Sequence, residues 1–402
     1  MQRSGQPSPQ SPEPPANPAQ GPWQKPQGAK RHGILVIHGI GEQRRGDTLH
    51  TFLNGFHNYL HTKVGWQKGA EGHGQIDLDT DLPAGQARVI FRDGKAIDEF
   101  LIREVWWAKT CPPLDFWRVL QWLIRHLNAP FRIDSRWRHL WTYLFLVWGI
   151  PALLLALLAV FAVLQFLQWW PFLRGPLNSL SQHLQKAASA FLVGSVGDVA
   201  TYTMDLVYAN EIRQVLEHEI DWMAAQDQQV DDIHIVAHSL GSLIAYEVLA
   251  RTYRRGVDAG ELKGRIRTFF SVGSPLDKVP WFLAPEHTYR FPVDFPDITW
   301  VNIYTAYDLV SDKLRYYGQQ PQNVLVTNKE FPPFALLQDH SGYWRNFEVE
   351  DLFLRQMASI DLLSNPVKRP KGLPHEFRRW LTAEGQKEEE RRREAKAPPP
   401  SP

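Results

Sequence analysis

A single cysteine, Cys111, in 402 residues leaves no partner for an internal disulfide, which fits a reducing compartment. It sits in Thr110-Cys111-Pro112-Pro113, a loop-like setting that makes it a poor nucleophile. An excess of charge is missing as well. Lysine plus arginine number 44 against 43 acidic residues, a net charge of +1, so no basic surface of the kind nucleic acid demands is expected. His234 and His238 stand four apart, but no third ligand completes a metal pattern, and they read as packing or supporting groups. Neither a metal nor any other cofactor is expected.

Aliphatic residues are scarce at both ends. Residues 1–29 are mainly Pro, Gln, Ser and Gly, too little apolar surface to offset the entropy of ordering, so a disordered tail is expected there. The stretch lacks the apolar core of a secretory signal peptide. Residues 383–402 are charged and then proline-rich, a second solvated tail. One internal stretch lacks charge altogether: Leu140 to Leu173, 34 residues rich in Leu, Ala, Val, Phe and Trp. A bilayer core needs only about 20 helical residues, and Trp141, Trp148, Trp169 and Trp170 suit interface depth. Arg132, Arg136 and Arg138 precede it and favour the anionic cytoplasmic leaflet. The expectation is a membrane-associated protein with its folded body on the cytoplasmic side.

Two segments carry the chemistry. Gly33 to Ile37 is a continuous apolar run, as in a strand buried on both faces of a parallel sheet, and it ends in His38-Gly39-Ile40-Gly41. Glycines there let a backbone N–H approach a developing negative charge closely. The second segment, Asp232 to His238, is another apolar, β-branched run. It stops at Ala237-His238-Ser239-Leu240-Gly241, and a helix-compatible run follows from Leu243 to Ala250. A strand turning sharply into a helix at a serine lifts the hydroxyl clear of the sheet, and the flanking positions must be small because strand and helix pass close together.

Between these segments, Asp47 to Trp66 has apolar residues at helical spacing. Ala87–Phe91 and Ala96–Lys109 read as two strands around a turn at Asp93-Gly94, and Phe116 to Leu127 reads as a helix. Val199–Ala225 reads as one helix leading into the serine strand. Further strands are expected at Arg265–Val272, Thr299–Thr305 and Asn323–Thr327. Alternating strands and helices predict an α/β fold with a mostly parallel sheet flanked by helices.

With these motifs in place, the chain resembles the α/β-hydrolase superfamily, in its serine esterase and lipase branch. The resemblance covers about Arg31 to Lys109 and Val199 to Ser359. One departure is Ala237 where the motif usually has glycine. The resemblance implies a triad in chain order serine, acid, histidine, each on a loop after a strand. That assigns Ser239 as nucleophile, Asp308 as acid and His340 as base, with the amides of Gly39, Ile40 and Leu240 as the oxyanion hole. Asp277, Asp297 and Asp312 are rival acids, Asp277 being the strongest because it also follows a strand. His287 precedes Asp308 and breaks the order, and His375 lies near the charged tail. The implied organisation is a first part of the hydrolase domain at 30–110, a helical insertion at 111–197 carrying the apolar segment 140–173, and a second part at 198–382. Because the oxyanion loop precedes the insertion and the serine follows it, the chain must re-emerge on the side it entered. This favours an inserted hydrophobic cap that dips into the membrane over a single span. The implied function is a membrane-associated serine hydrolase cleaving lipid or acyl esters through an acyl-enzyme. Alternatives are an acyltransferase using the same intermediate and a catalytically silent membrane scaffold.

Overall fold

The computed structural model describes residues 25–41, 44–59, 75–79, 85–93, 96–110, 197–255, 264–278, 293–305, 308, 310–315, 317, 321–327 and 340–358, with residue 62 and scattered helical positions between 117 and 167. The elements run β1 (Lys30–Ile37), α1 (Asp47–Tyr59), β2 (Gln75–Asp79), β3 (Gln86–Asp93), β4 (Ala96–Val105), α2 (Leu206–Ala224), β5 (Asp232–His238), α3 (Leu240–Arg255), β6 (Ile266–Val272), β7 (Thr299–Thr305), β8 (Gln322–Val326) and α4 (Phe347–Met357).

All eight strands join one sheet in the order β2-β3-β4-β1-β5-β6-β7-β8. From β4 through β8 every neighbouring pair is parallel, and the β2–β3 and β3–β4 pairs are antiparallel. The fold is therefore a mostly parallel α/β sheet with flanking helices. The chain moves from β1 to β4 on one side, then returns to lay β5 on the other side of β1. That reversal opens a crevice at the carboxyl ends of β1 and β5, where α/β sheets place their ligands. Ile37 pairs with Ala237 across the two strands, so Gly39 and Ser239 leave the sheet side by side.

Alternate residues of the central strands feed two cores, because a strand's side chains alternate between faces. Leu35, Ile37, Ile233, Ile235 and Phe269 pack with α2 and α3. Ile34, Val36, Val236, Phe270, Val301 and Ile303 pack with α1 and α4. Burial on both faces explains why β1 reads as an unbroken apolar run from Gly33 to Ile37.

The expected helix over Val199–Ala225 is divided. Residues 197–204 are helical, and then Asp205, extended at φ −119 and ψ 103, caps α2 by accepting from the amides of Val207 and Tyr208. An aspartate that satisfies the free amides of a first turn starts a new helix instead of continuing the old one. Residues 25–29, expected within a disordered tail, lead into β1 through a turn closed by Ala29 N–H donating to the Pro26 carbonyl at 3.0 Å. No helix among the described residues is long and apolar enough to cross a membrane. The run Leu140–Leu173, and with it the expected cap, lies outside the described residues apart from isolated helical positions.

Near the amino ends of the strands, His234 contacts His32 at 3.1 Å and Thr268 Oγ1 at 2.6 Å, away from the serine. Burial, followed by the neighbouring His32, pushes His234 down to about 3. His38 is lowered by burial to about 4 and His238, by burial and then by His340, to about 3. A histidine depressed on folding binds its proton only in the unfolded chain between its two pKa values. Stability is therefore lost as pH falls below the ordinary value of about 6.5, by on the order of 2 kcal/mol per histidine at pH 5. Asp277 works the other way: burial raises it to about 6, so it gains stability as pH falls toward its unfolded value. The expected result is a lower melting temperature at pH 5 than at pH 7, with His234→Gln removing roughly 2 kcal/mol of that difference. An unchanged pH slope in the variant would contradict it.

Candidate active site

The serine arises where an apolar strand must stop. β5 ends at His238, α3 begins at Leu240, and Ser239 between them is held at φ +52, a conformation that costs a side-chain-bearing residue roughly 1–3 kcal/mol. Its N–H donates to the Val272 carbonyl at 2.9 Å, and Ser242 Oγ donates to the Ala237 carbonyl at 2.8 Å; both tie the turn to the sheet. Crowding explains the glycines. A methyl on Gly241 would stand 2.6 Å from the His38 carbonyl, and one on Gly39 would stand 2.6 Å from Ser239 Cβ. The alanine at 237 is fully buried.

His340 Nε2 lies 2.9 Å from Ser239 Oγ, while its Nδ1 lies 3.1 and 3.0 Å from the two Asp308 oxygens. A carboxylate can only accept, so Nδ1 carries the proton and Nε2 presents a lone pair to the serine hydroxyl. Asp308, itself buried, follows β7 in the chain and collects three further donors. Val310 N–H reaches Oδ1 at 2.8 Å, and Ser311 Oγ and Tyr343 Oη each reach Oδ2 at 2.8 Å. Burial works to raise the Asp308 carboxyl, but the hydrogen bonds from His340, Ser311 and Tyr343 outweigh it and hold it at about 2. Of the rival acids, Asp277 pairs with Lys278 Nζ at 2.9 Å, and Asp312 Oδ1 accepts the Lys313 N–H at 2.6 Å. His287 and His375 lie outside the described residues, and Asp297 occupies a turn before β7.

The loop after β1 is built by its own histidine. His38 Nδ1 stands 2.8 Å from the Gly39 carbonyl, which can only accept, so Nδ1 is the protonated nitrogen. The other ring nitrogen accepts from the Trp107 amide at 3.3 Å, and the indole N–H of Trp107 donates to the His38 carbonyl at 3.1 Å. The two rings stack at 4.6 Å. Because a peptide is planar and trans, pinning the Gly39 carbonyl turns the Ile40 N–H to the opposite side. Leu240, at the first position of α3, has an N–H with no acceptor within its own helix.

The structure thus brings together Ser239, Asp308, His340 and the Gly39–Ile40 and Leu240 amides. The sequence reading missed three of the residues that hold them, Tyr343, Ser311 and Trp107; His238, read as a packing or supporting group, donates through Nε2 to the His340 carbonyl at 2.8 Å. The spacing of Tyr343, three residues after His340, was the one available signal. Among the described residues, no group of three or more His, Cys, Asp or Glu is placed to hold a metal. Comparison with protein-family models, with curated proteins and with solved structures returns no match.

Proposed function

We propose that the chain is a serine hydrolase of the α/β-hydrolase type, cleaving carboxylic esters of lipids or acyl chains at a membrane surface. The observation that carries this reading is the hydrogen-bonded series Ser239 Oγ, His340 Nε2, His340 Nδ1 and Asp308. Ser239 Oγ attacks the acyl carbonyl while His340 Nε2 takes its proton, and Asp308 holds the imidazole and steadies its positive charge. The amides of Gly39, Ile40 and Leu240 are the donors for the tetrahedral oxyanion. His340 returns the proton to the departing alcohol. Water, activated by the same imidazole, then releases the acid and regenerates the serine. Supporting the class are the order serine, acid, histidine along the chain and the placement of each after a parallel strand. Turnover of p-nitrophenyl butyrate and octanoate by the whole chain tests the reading; absence of turnover on both would count against it.

Membrane association draws on exposed apolar side chains. Leu206 and Val207 are 60 % and 66 % exposed in the first turn of α2. That helix ends close to the amino edge of the sheet, where β5 starts, so its first turn stands at the edge that carries Ser239. Val160, Val163 and Phe166, at helical spacing within the charge-free run, are also exposed. Burying two such side chains in lipid contributes about 1.5–3 kcal/mol each. Replacing both Leu206 and Val207 by Asp is expected to weaken flotation with phosphatidylserine vesicles about tenfold or more, leaving p-nitrophenyl butyrate turnover unchanged. Equal flotation by variant and wild type would remove this patch from the membrane surface.

A further inference from the structure

The loop that follows β1 has a second tether, from a distant part of the chain. Gly41 N–H donates to Asp198 Oδ2 at 2.7 Å, across 157 positions of sequence. Gly41 adopts φ +107, yet a methyl there would meet nothing within 4 Å, so glycine is present for the backbone conformation and not for space. Asp198 belongs to the helical residues 197–204, which also carry buried Tyr202. Tyr202 Oη donates to Glu247 Oε2 of α3 at 2.5 Å, so the tether is anchored to the body of the fold.

Two peptide planes flank Ile40, and each is held by a different side chain. His38 fixes the Gly39–Ile40 plane through the Gly39 carbonyl, and Asp198 fixes the Ile40–Gly41 plane through the Gly41 N–H. With both planes set, the direction of the Ile40 N–H is set too. A donor for a transient oxyanion works only if it is aimed before the charge develops.

We propose that Asp198 is a positioning residue for ester cleavage, accepting the Gly41 N–H so that the Ile40 N–H is held toward the reacting carbonyl oxygen. This rests on the serine-hydrolase reading above. The requirement is an acceptor oxygen at that place, so an asparagine serves where an alanine does not.

The test compares wild type, Asp198→Ala and Asp198→Asn on p-nitrophenyl butyrate, with octyl trifluoromethyl ketone as a mimic of the tetrahedral state. Asp198→Ala is expected to lower kcat about 10–100-fold with KM within about threefold, and to weaken the ketone by the same factor as kcat. Asp198→Asn is expected to stay within about fivefold of wild type on all three measures. A folded Asp198→Ala protein with wild-type kcat and ketone affinity overturns the proposal, as does an Asp198→Asn loss as deep as that of alanine. Should the alanine variant fail to fold, hydrogen exchange at the Gly41 amide of Asp198→Asn decides. Protection kept together with activity supports the role, and protection lost with activity kept overturns it. A wild-type chain with no turnover and no ketone binding overturns the hydrolase reading and this inference together.

Discussion

Replacing Ser239 by alanine is expected to reduce ester turnover about a millionfold while leaving the fold in place. The hydroxyl is the only group at the carboxyl end of β5 that His340 Nε2 contacts at hydrogen-bonding distance among the described residues, so no neighbour can take over the attack. What survives is the contribution of the amides and of binding, roughly a thousandfold over water. The backbone supplies a second part of the same prediction. At φ +52 serine and alanine carry similar strain, so Ser239→Ala should melt near wild type. Ser239→Gly, free of that strain, should be more stable by about 1 kcal/mol. An inactive but stabilised glycine variant is the signature of a side chain kept in an unfavourable conformation for its chemistry. Kinetics on p-nitrophenyl butyrate and thermal denaturation of the three proteins check both parts. Activity in Ser239→Ala within tenfold of wild type would contradict the mechanism.

Asp308→Asn carries the second largest expected loss, about ten-thousandfold in kcat. An amide in that place either turns its oxygen to the His340 N–H and its NH2 toward Ser311 and Tyr343, or the reverse. In the first the Ser311 and Tyr343 hydroxyls turn to accept from the NH2, in the reverse the NH2 opposes the Val310 and His340 N–H donors, and in both a neutral amide no longer steadies the imidazolium. In the reverse arrangement the tautomer that leaves Nε2 free to accept from Ser239 is no longer enforced. Tyr343→Phe is the graded companion. It removes one donor, leaves Val310 and Ser311 on the carboxylate, and should cost about tenfold or less. A full loss in Tyr343→Phe with a mild one in Asp308→Asn would reverse the assignment of roles.

The parallel part of the sheet could be read from the sequence because strands buried on both faces are rich in apolar and β-branched residues, as in Gly33–Ile37 and Ile233–Ala237. Chain order and the small residues around Ser239 marked the three side chains that meet at the crevice. β2 went unread. Gln75-Ile76-Asp77-Leu78-Asp79 does alternate apolar with polar, but aspartates are depleted in strands, and it is pairing with β3 along an edge that makes it one. The break at Asp205 was hidden because a capping aspartate and a surface aspartate look alike until the backbone turns. The polar support of the site was hidden for a related reason. His38 and Trp107 work through backbone groups, and a hydrogen bond to a carbonyl leaves no pattern in residue types. Asp198 and Gly41 are far apart in the chain, so only the folded molecule brings them to one loop.

Active-site labelling tests the central claim most directly. Whole chain in phosphatidylserine vesicles, treated with a fluorophosphonate, should gain one phosphonyl group, located by peptide mass spectrometry on Ser239. Labelling should disappear in Ser239→Ala and fall steeply in Asp308→Asn. Folded wild-type protein that takes up no label, or takes it up equally in Ser239→Ala, would contradict the account.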